Sequence, residues 1–112
     1  MFKNLLLISL ALSAFSFEAF AASSIVINAS GRATDYCNAN SGNYCFDKVK
    51  RDSQAEGVRE AAWKCELQHR GRPQRFNPSH STFCNPYSLP PGHKGTYVTC
   101  NTNTSMRCDL PN

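Results

Sequence analysis

The sequence predicts a small α+β domain stapled by disulfides, in which one main helix packs on a short antiparallel sheet. Three observations predict this class. The 112-residue chain carries six cysteines, which is typical of small exported domains with a disulfide framework. One segment, residues 53–70, has helical periodicity between a start signal and a stop signal. Several short segments rich in β-branched and aromatic residues are separated by turn residues, and the resulting order is β-α-β-β-β.

Residues 1–21 have the pattern of a secretory signal peptide. Lys3 gives a short positive region, Leu5–Leu12 is an apolar run too short for a membrane anchor, and Ala19–Ala21 fits a cleavage site. We therefore expect cleavage after this segment, a single domain at residues 22–112, and a location in the periplasm or outside the cell. The alternative is that the segment forms a hydrophobic helix of the folded domain. A bacterial or a eukaryotic origin stays open.

The six cysteines all follow this segment and predict three disulfides. An even number in a short exported chain favours disulfides, and the C-x2-C pair that a structural zinc site would need is absent. The polar loop between Cys37 and Cys45 closes easily, so we expect these two residues to be bonded. The favoured pairing of the others is Cys65–Cys84 with Cys100–Cys108, and the alternative is Cys65–Cys100 with Cys84–Cys108.

The main helix is predicted over Ser53–Arg70. Ser53 and Glu56 fit a capping box, Gly71 fits a left-handed residue after the helix end, and Pro73 blocks continuation of the helix. Small apolar residues recur at helical spacing and predict the face that packs on the sheet. These residues are Ala55, Val58, Ala61, Ala62 and Cys65.

Four strands are predicted around this helix. The first is Ser24–Ala29, ended by Gly31, and the second is Ser81–Cys84. The last two, Thr96–Cys100 and Ser105–Leu110, are predicted to form a hairpin around a turn at residues 101–104.

Two surface features are candidates for binding. Trp63 and Leu67 lie four residues apart on the helix face opposite the apolar stripe, and an exposed tryptophan on a rigid helix is a typical interface anchor. The alternative is that the N-terminal segment or the loop between Cys37 and Cys45 covers this pair as part of a small core. A basic loop after the helix either binds carboxylate or phosphate groups or is simply solvated. Its arginines are Arg70, Arg72 and Arg75.

We therefore expect an exported, non-enzymatic binding module that acts on a protein or an anionic envelope polymer, in an inhibitor-like or adhesion-like role. A net charge of +4 is too small by itself to indicate nucleic-acid binding. A cationic toxin or antimicrobial protein is a third class, but it would need a strongly basic helix face, and this helix alternates its charges.

A small ribonuclease-like or other hydrolytic enzyme is the main alternative. His80, His93 and Lys94 have the chemistry of an acid–base site, although their spacing matches no motif. Such an enzyme would need the two imidazoles within ~7 Å of each other in a concave pocket. The sequence contains no glycine fingerprint of nucleotide-binding enzymes, no G-x-S-x-G motif and no H-E-x-x-H motif. We therefore expect no cofactor and no bound metal.

Overall fold

The computed structural model describes residues 23–111, so the predicted signal peptide lies outside the described residues. The element order is β-α-β-β-β with a 3₁₀ turn before the helix, but the strands are not the predicted four, because β2 lies in the predicted basic loop and the two predicted C-terminal strands are one. They are β1 (Ser24–Asn38), the 3₁₀ turn (Ala39–Ser41), α1 (Asn43–Gln68), β2 (Arg72–Pro73), β3 (Ser79–Asn85) and β4 (Gly95–Asp109). One main helix packs on an antiparallel four-stranded sheet, which confirms the predicted α+β class.

The strand β4 is the centre of the sheet. Along one side it pairs with the whole of β1, from Ser24 opposite Asp109 to Asn38 opposite Gly95. Along the other side it pairs with β3 and, near its end, with the short β2. Every strand is therefore positioned by β4, and the sheet presents one face to the helix and the other to solvent.

The predicted C-terminal hairpin is wrong, because residues 95–109 form one continuous strand. The stretch Asn101–Thr104 has the composition of a turn, but its residues alternate between the two faces of the sheet. Thr102 and Thr104 are buried against the helix, whereas Asn101 and Asn103 are exposed. Likewise, β1 does not end near Gly31 but continues to Asn38.

The helix begins at Asn43, ten residues before the predicted start. Ser53 is fully buried in the middle of the helix, where its hydroxyl donates to the carbonyl of Lys50, so it is not an N-cap. Six of the seven buried residues of the helix recur at intervals of four, Ala62 is the seventh, and the exposed Ala55 that the stripe predicted is not among them. They are Cys45, Val49, Ser53, Gly57, Ala61, Ala62 and Cys65.

The helix ends at Gln68, and the left-handed residue after it is Arg70 (φ 53°), not the predicted Gly71. Gly71 is required for a different reason. Its N–H donates to the carbonyl of Cys65 at 2.9 Å, and a Cβ at this position would lie 2.5 Å from the sulfur of Cys108. The chain therefore leaves the helix directly over a disulfide.

A chain of hydroxyl groups joins the helix to the sheet between two small apolar clusters. The Gln54 amide donates to Thr82 (3.0 Å), and the Ser53 hydroxyl donates to the Lys50 carbonyl (2.8 Å). Because an amide N–H only donates and a carbonyl only accepts, the donor and the acceptor of each hydrogen bond between these two ends are fixed. Thr82 donates to Thr102 (2.9 Å), and Thr102 donates to Ser53 (2.7 Å). Each buried hydroxyl in this layer is thereby satisfied.

The helix and the sheet approach each other most closely where two glycines meet. A Cβ on Gly31 would overlap the backbone of Ser53 and Gly57. A Cβ on Gly57 would overlap the hydroxyl of Thr104. Glycine inside a helix normally weakens it, but here it permits a contact that no larger residue allows.

Three disulfides staple the domain, and only one of them was predicted. Cys37–Cys45 is confirmed. The others are Cys65–Cys108 and Cys84–Cys100, so both predicted pairings of these four cysteines are wrong. Cys100 and Cys108 lie on the same strand eight residues apart, which places them roughly 26 Å from each other, too far for a bond.

The disulfides are compatible with an extracellular or secreted protein. Cys37–Cys45 ties the first turn of the helix to the end of β1. Lys48 supports the same junction, because it lies 3.7 Å from Asp35 of β1 and 3.1 Å from Asp52 of its own helix. The hydrogen bond to Asp52 and the charge of that residue raise the pKa of Lys48.

None of the helices within residues 23–111 has the length and apolar character that a membrane span needs.

Candidate functional site

Trp63 and Leu67 lie on the side of the helix that faces away from the sheet. Ala61, Ala62 and Cys65 occupy the inward positions around them and are buried. Trp63 is 53% exposed and Leu67 is 60% exposed. Within the described part of the chain, therefore, no loop covers this pair. The loop that was expected to do so is held at the other end of the helix by its disulfide.

A disulfide fixes the backbone beneath this pair. Cys65 lies between Trp63 and Leu67 in sequence, points into the domain and is bonded to Cys108 of the central strand. Both cysteines are fully buried. The helical turn that carries the apolar pair is thus attached covalently to the sheet, so the backbone of this turn is fixed before any partner arrives, which lowers the entropic penalty of binding.

The three predicted arginines lie in the segment that leaves this end of the helix. Arg70 follows the last turn directly, and Arg72 is exposed at the start of β2. Arg75 turns back to the helix, where its guanidinium donates to Glu66 at 3.0 Å. Both side chains of that pair are about half exposed, so the ion pair contributes little stability.

Among the described residues, the unpaired positive charge beside the apolar pair lies at its loop end, while Glu60 lies next to Trp63 at the other end. Arg70 and Arg72 form no ion pair with any residue that the structure describes. Arg59, one turn before Trp63, is paired with Glu56. The apolar pair and the loop arginines together form what we call the Trp63 surface, consisting of Trp63, Leu67, Arg70, Arg72 and Arg75.

The predicted acid–base site is not brought together. His80 lies in β3 opposite Thr104, with its Nδ1 3.0 Å from the Thr104 hydroxyl. His93 and Lys94 precede the first residue of β4, Gly95, at the far end of the sheet. Nine residues of strand separate positions 95 and 104, which is roughly 30 Å. Concerted proton transfer to one substrate needs a far shorter distance.

The described residues contain no group of three or more His, Cys, Asp or Glu side chains arranged to hold a metal ion.

The remaining notable surface is the solvent face of the sheet, which the sequence reasoning missed. Its signal is the alternation along β4, which places Tyr97, Thr99, Asn101 and Asn103 on one face, but the prediction of a turn at residues 101–104 concealed it.

Comparison of the chain with models of known protein families, with curated proteins and with solved structures found no match.

Proposed function

We propose that this protein is an exported, non-enzymatic binding module whose Trp63 surface docks onto a partner protein in the periplasm or outside the cell. The observation that carries the proposal is the exposed apolar pair of Trp63 and Leu67 on a helical turn that a disulfide attaches to the sheet. The signal-peptide pattern and the three disulfides support the location.

The apolar pair favours a protein as the partner. Tryptophan is among the residues that most often dominate interface energetics, and truncating such an anchor typically weakens binding by ~2 kcal/mol or more. Half of the Trp63 side chain is available to a partner pocket without any rearrangement of the helix. An anionic polymer would gain little from an indole and a leucine, since it binds mainly through cations.

The arginines indicate the chemistry of the partner's rim. Arg70 and Arg72 lie beside the apolar pair without a carboxylate partner among the described residues. An interface with an apolar centre and a charged rim fits an acidic surface that surrounds an apolar pocket. The arginines would accelerate association and make it dependent on salt, while Trp63 would set most of the affinity.

The proposal is tested by capture from secreted and envelope extracts with the immobilised, oxidised protein. Four proteins are compared in parallel: wild type, Trp63→Ala, Leu67→Ala and Tyr44→Ala. Tyr44 is the matched control, because it is an aromatic residue of the same helix, 68% exposed, and roughly 28 Å away along the helix axis.

We expect wild type and Tyr44→Ala to retain the same protein, and Trp63→Ala and Leu67→Ala to lose it. Retention of that protein by wild type and all three variants would contradict the proposal. Capture of an acidic polymer in place of a protein, by all four proteins and only at low salt, would also contradict it and would favour the arginines as a polymer site.

A further inference from the structure

The solvent face of the sheet, here called the outer sheet face, is a continuous polar surface made by three strands. It consists of the outward side chains of β1 from position 28 to 36, of β4 from 97 to 105, and of β3. Two side-chain hydrogen bonds connect β1 and β4 on this face: Thr34 to Thr99 at 2.9 Å, and the Ser105 hydroxyl to Asn28 at 2.7 Å. The helix covers the opposite face, so this surface is separate from the Trp63 surface.

The outer sheet face is almost free of charge. Within the ranges that define it, Arg32 is the one charged side chain among the outward positions, and the others are Asn, Ser, Thr, Tyr and Phe. Protein surfaces usually carry charged side chains at about a quarter to a third of positions. A solvated sheet face would normally include lysine or glutamate here, which also protect strands against unwanted pairing.

One end of this face carries an aromatic platform that is fixed before binding. Tyr36 and Tyr97 face each other across β1 and β4, with ring centroids 5.1 Å apart in an edge-to-face arrangement. The Tyr36 ring lies on the backbone of Gly95, where a Cβ would approach its Cζ to 2.5 Å. The rings are nevertheless 50% and 70% exposed. Each ring is held on one side and open to a ligand on the other.

The remaining positions supply neutral hydrogen-bonding groups at regular intervals. Asn101 and Asn103 are exposed on β4, and each amide offers donors and an acceptor in one side chain. Phe83, 58% exposed, lies beside Asn101 on the next strand. It gives a second apolar spot roughly 13 Å along the sheet from Tyr97.

We propose that the outer sheet face binds a neutral glycan. Such a ligand has many hydroxyl groups that both donate and accept, apolar ring faces that can lie on tyrosine, and no charge. A nucleic acid or an anionic polymer would need several unpaired cations. Arg32 lies on this face, the next outward arginine of β4, Arg107, is paired with Asp109, and Lys64 reaches the β1 edge, where it donates to the Asn28 carbonyl. A protein partner usually presents an apolar centre, whereas the centre of this face is asparagine and threonine. The inference goes beyond the proposed function and does not rest on it.

The test is chemical-shift mapping of the oxidised, isotope-labelled protein against a panel of uncharged hexasaccharides of glucose, N-acetylglucosamine, mannose and xylose. Polygalacturonate serves as the charged control. We expect at least one neutral hexasaccharide to shift resonances of Tyr36, Tyr97, Asn101 and Asn103. The affinity should not change when salt is raised to about 1 M, where charge interactions are screened within about 3 Å.

Three variants locate the binding site. Tyr97→Ala and Asn101→Ala should each weaken binding about tenfold, while Phe76→Ala, at an aromatic residue that is 92% exposed and outside both surfaces, should leave it unchanged. The unliganded spectra of the variants show whether each one remains folded, and Tyr97→Phe, which retains the ring, should bind within about threefold of wild type.

The inference is overturned if no neutral hexasaccharide binds, if the shifts map to the helix, or if polygalacturonate binds instead and is displaced by salt. Loss of glycan binding would leave the capture experiment on the Trp63 surface unaffected.

Discussion

Gly31→Ala is the substitution that tests the packing of helix on sheet most sharply. The new methyl group would point from β1 at the helix and overlap the backbone of Ser53 and Gly57, with the Gly57 Cα at 2.9 Å. Backbone atoms in a helix cannot rotate away, so the helix has to move off the sheet. That movement would also lengthen the hydrogen bond between Ser53 and Thr102, now 2.7 Å.

The magnitude follows from three terms. Overpacking of this kind typically destabilises by about 1–3 kcal/mol, and loss of the buried hydrogen bond adds about 1 kcal/mol. Alanine makes the unfolded chain less flexible than glycine does, which offsets about 0.4–1 kcal/mol. We therefore expect Gly31→Ala to lower the free energy of unfolding by about 1–3.5 kcal/mol. The melting temperature should then fall by an amount on the order of 5–25 °C.

Urea and thermal unfolding, followed by circular dichroism with the disulfides intact, measure this effect. Ser30→Ala is the matched control, because Ser30 is the preceding residue of the same strand and is exposed on the opposite face. It should change stability by less than about 0.5 kcal/mol. The reasoning is refuted if Gly31→Ala is as stable as the control or more stable.

Three further predictions concern the staples, the hydroxyl chain and the Trp63 surface. Replacing both cysteines of Cys65–Cys108, which spans 43 residues, should lower the free energy of unfolding more than replacing both cysteines of Cys37–Cys45, which spans 8. The loss of loop-closure entropy predicts about 4 kcal/mol for the first and about 2.5 kcal/mol for the second. Equal losses in urea unfolding would contradict this entropic explanation. Thr102→Val should lower unfolding free energy by about 1–3 kcal/mol, because it leaves the Thr82 hydroxyl without its acceptor; a neutral effect in the same assay would disprove the ordered chain. Trp63→Ala should change the melting temperature only slightly, since a surface substitution alters stability by less than about 0.5 kcal/mol, and a loss typical of a core residue would show that the indole is covered.

The sequence predicted the existence of the helix and, to within two residues, its end, but misjudged its start by ten residues. A serine followed three residues later by glutamate matches a capping box, yet Ser53 lies in mid-helix. Its hydroxyl is satisfied within the helix by Lys50 and across the interface by Thr102. The second partner is 49 residues away in sequence, so no local pattern could distinguish a buried serine from a cap.

The disulfides show a similar limit. The short loop between Cys37 and Cys45 could be predicted from local geometry alone, whereas the other pairs depend on strand register. Cys84 lies directly opposite Cys100 once β3 pairs with β4. The predicted turn at residues 101–104 put Cys100 and Cys108 on adjacent strands, where they could bond to each other, whereas the single strand over residues 95–109 keeps them apart and leaves Cys100 opposite Cys84.

The Trp63 surface could be predicted in outline, since helical spacing alone puts Trp63 opposite the residues that pack on the sheet. The position of Arg75 could not, because its contact with Glu66 depends on the path of the loop. The outer sheet face was missed entirely. Its residues come from three strands, and only their register reveals that they form one uncharged surface.

Fluorescence quenching of Trp63 tests the central claim most directly, because it is the only tryptophan in the chain. The account predicts the red-shifted emission of an indole in water and efficient quenching in the free, oxidised protein. Iodide should quench more strongly than caesium at low salt, since Arg70 and Arg72 attract the anion. A blue-shifted emission protected from both ions, or stronger quenching by caesium, would contradict an exposed apolar anchor in a cationic setting.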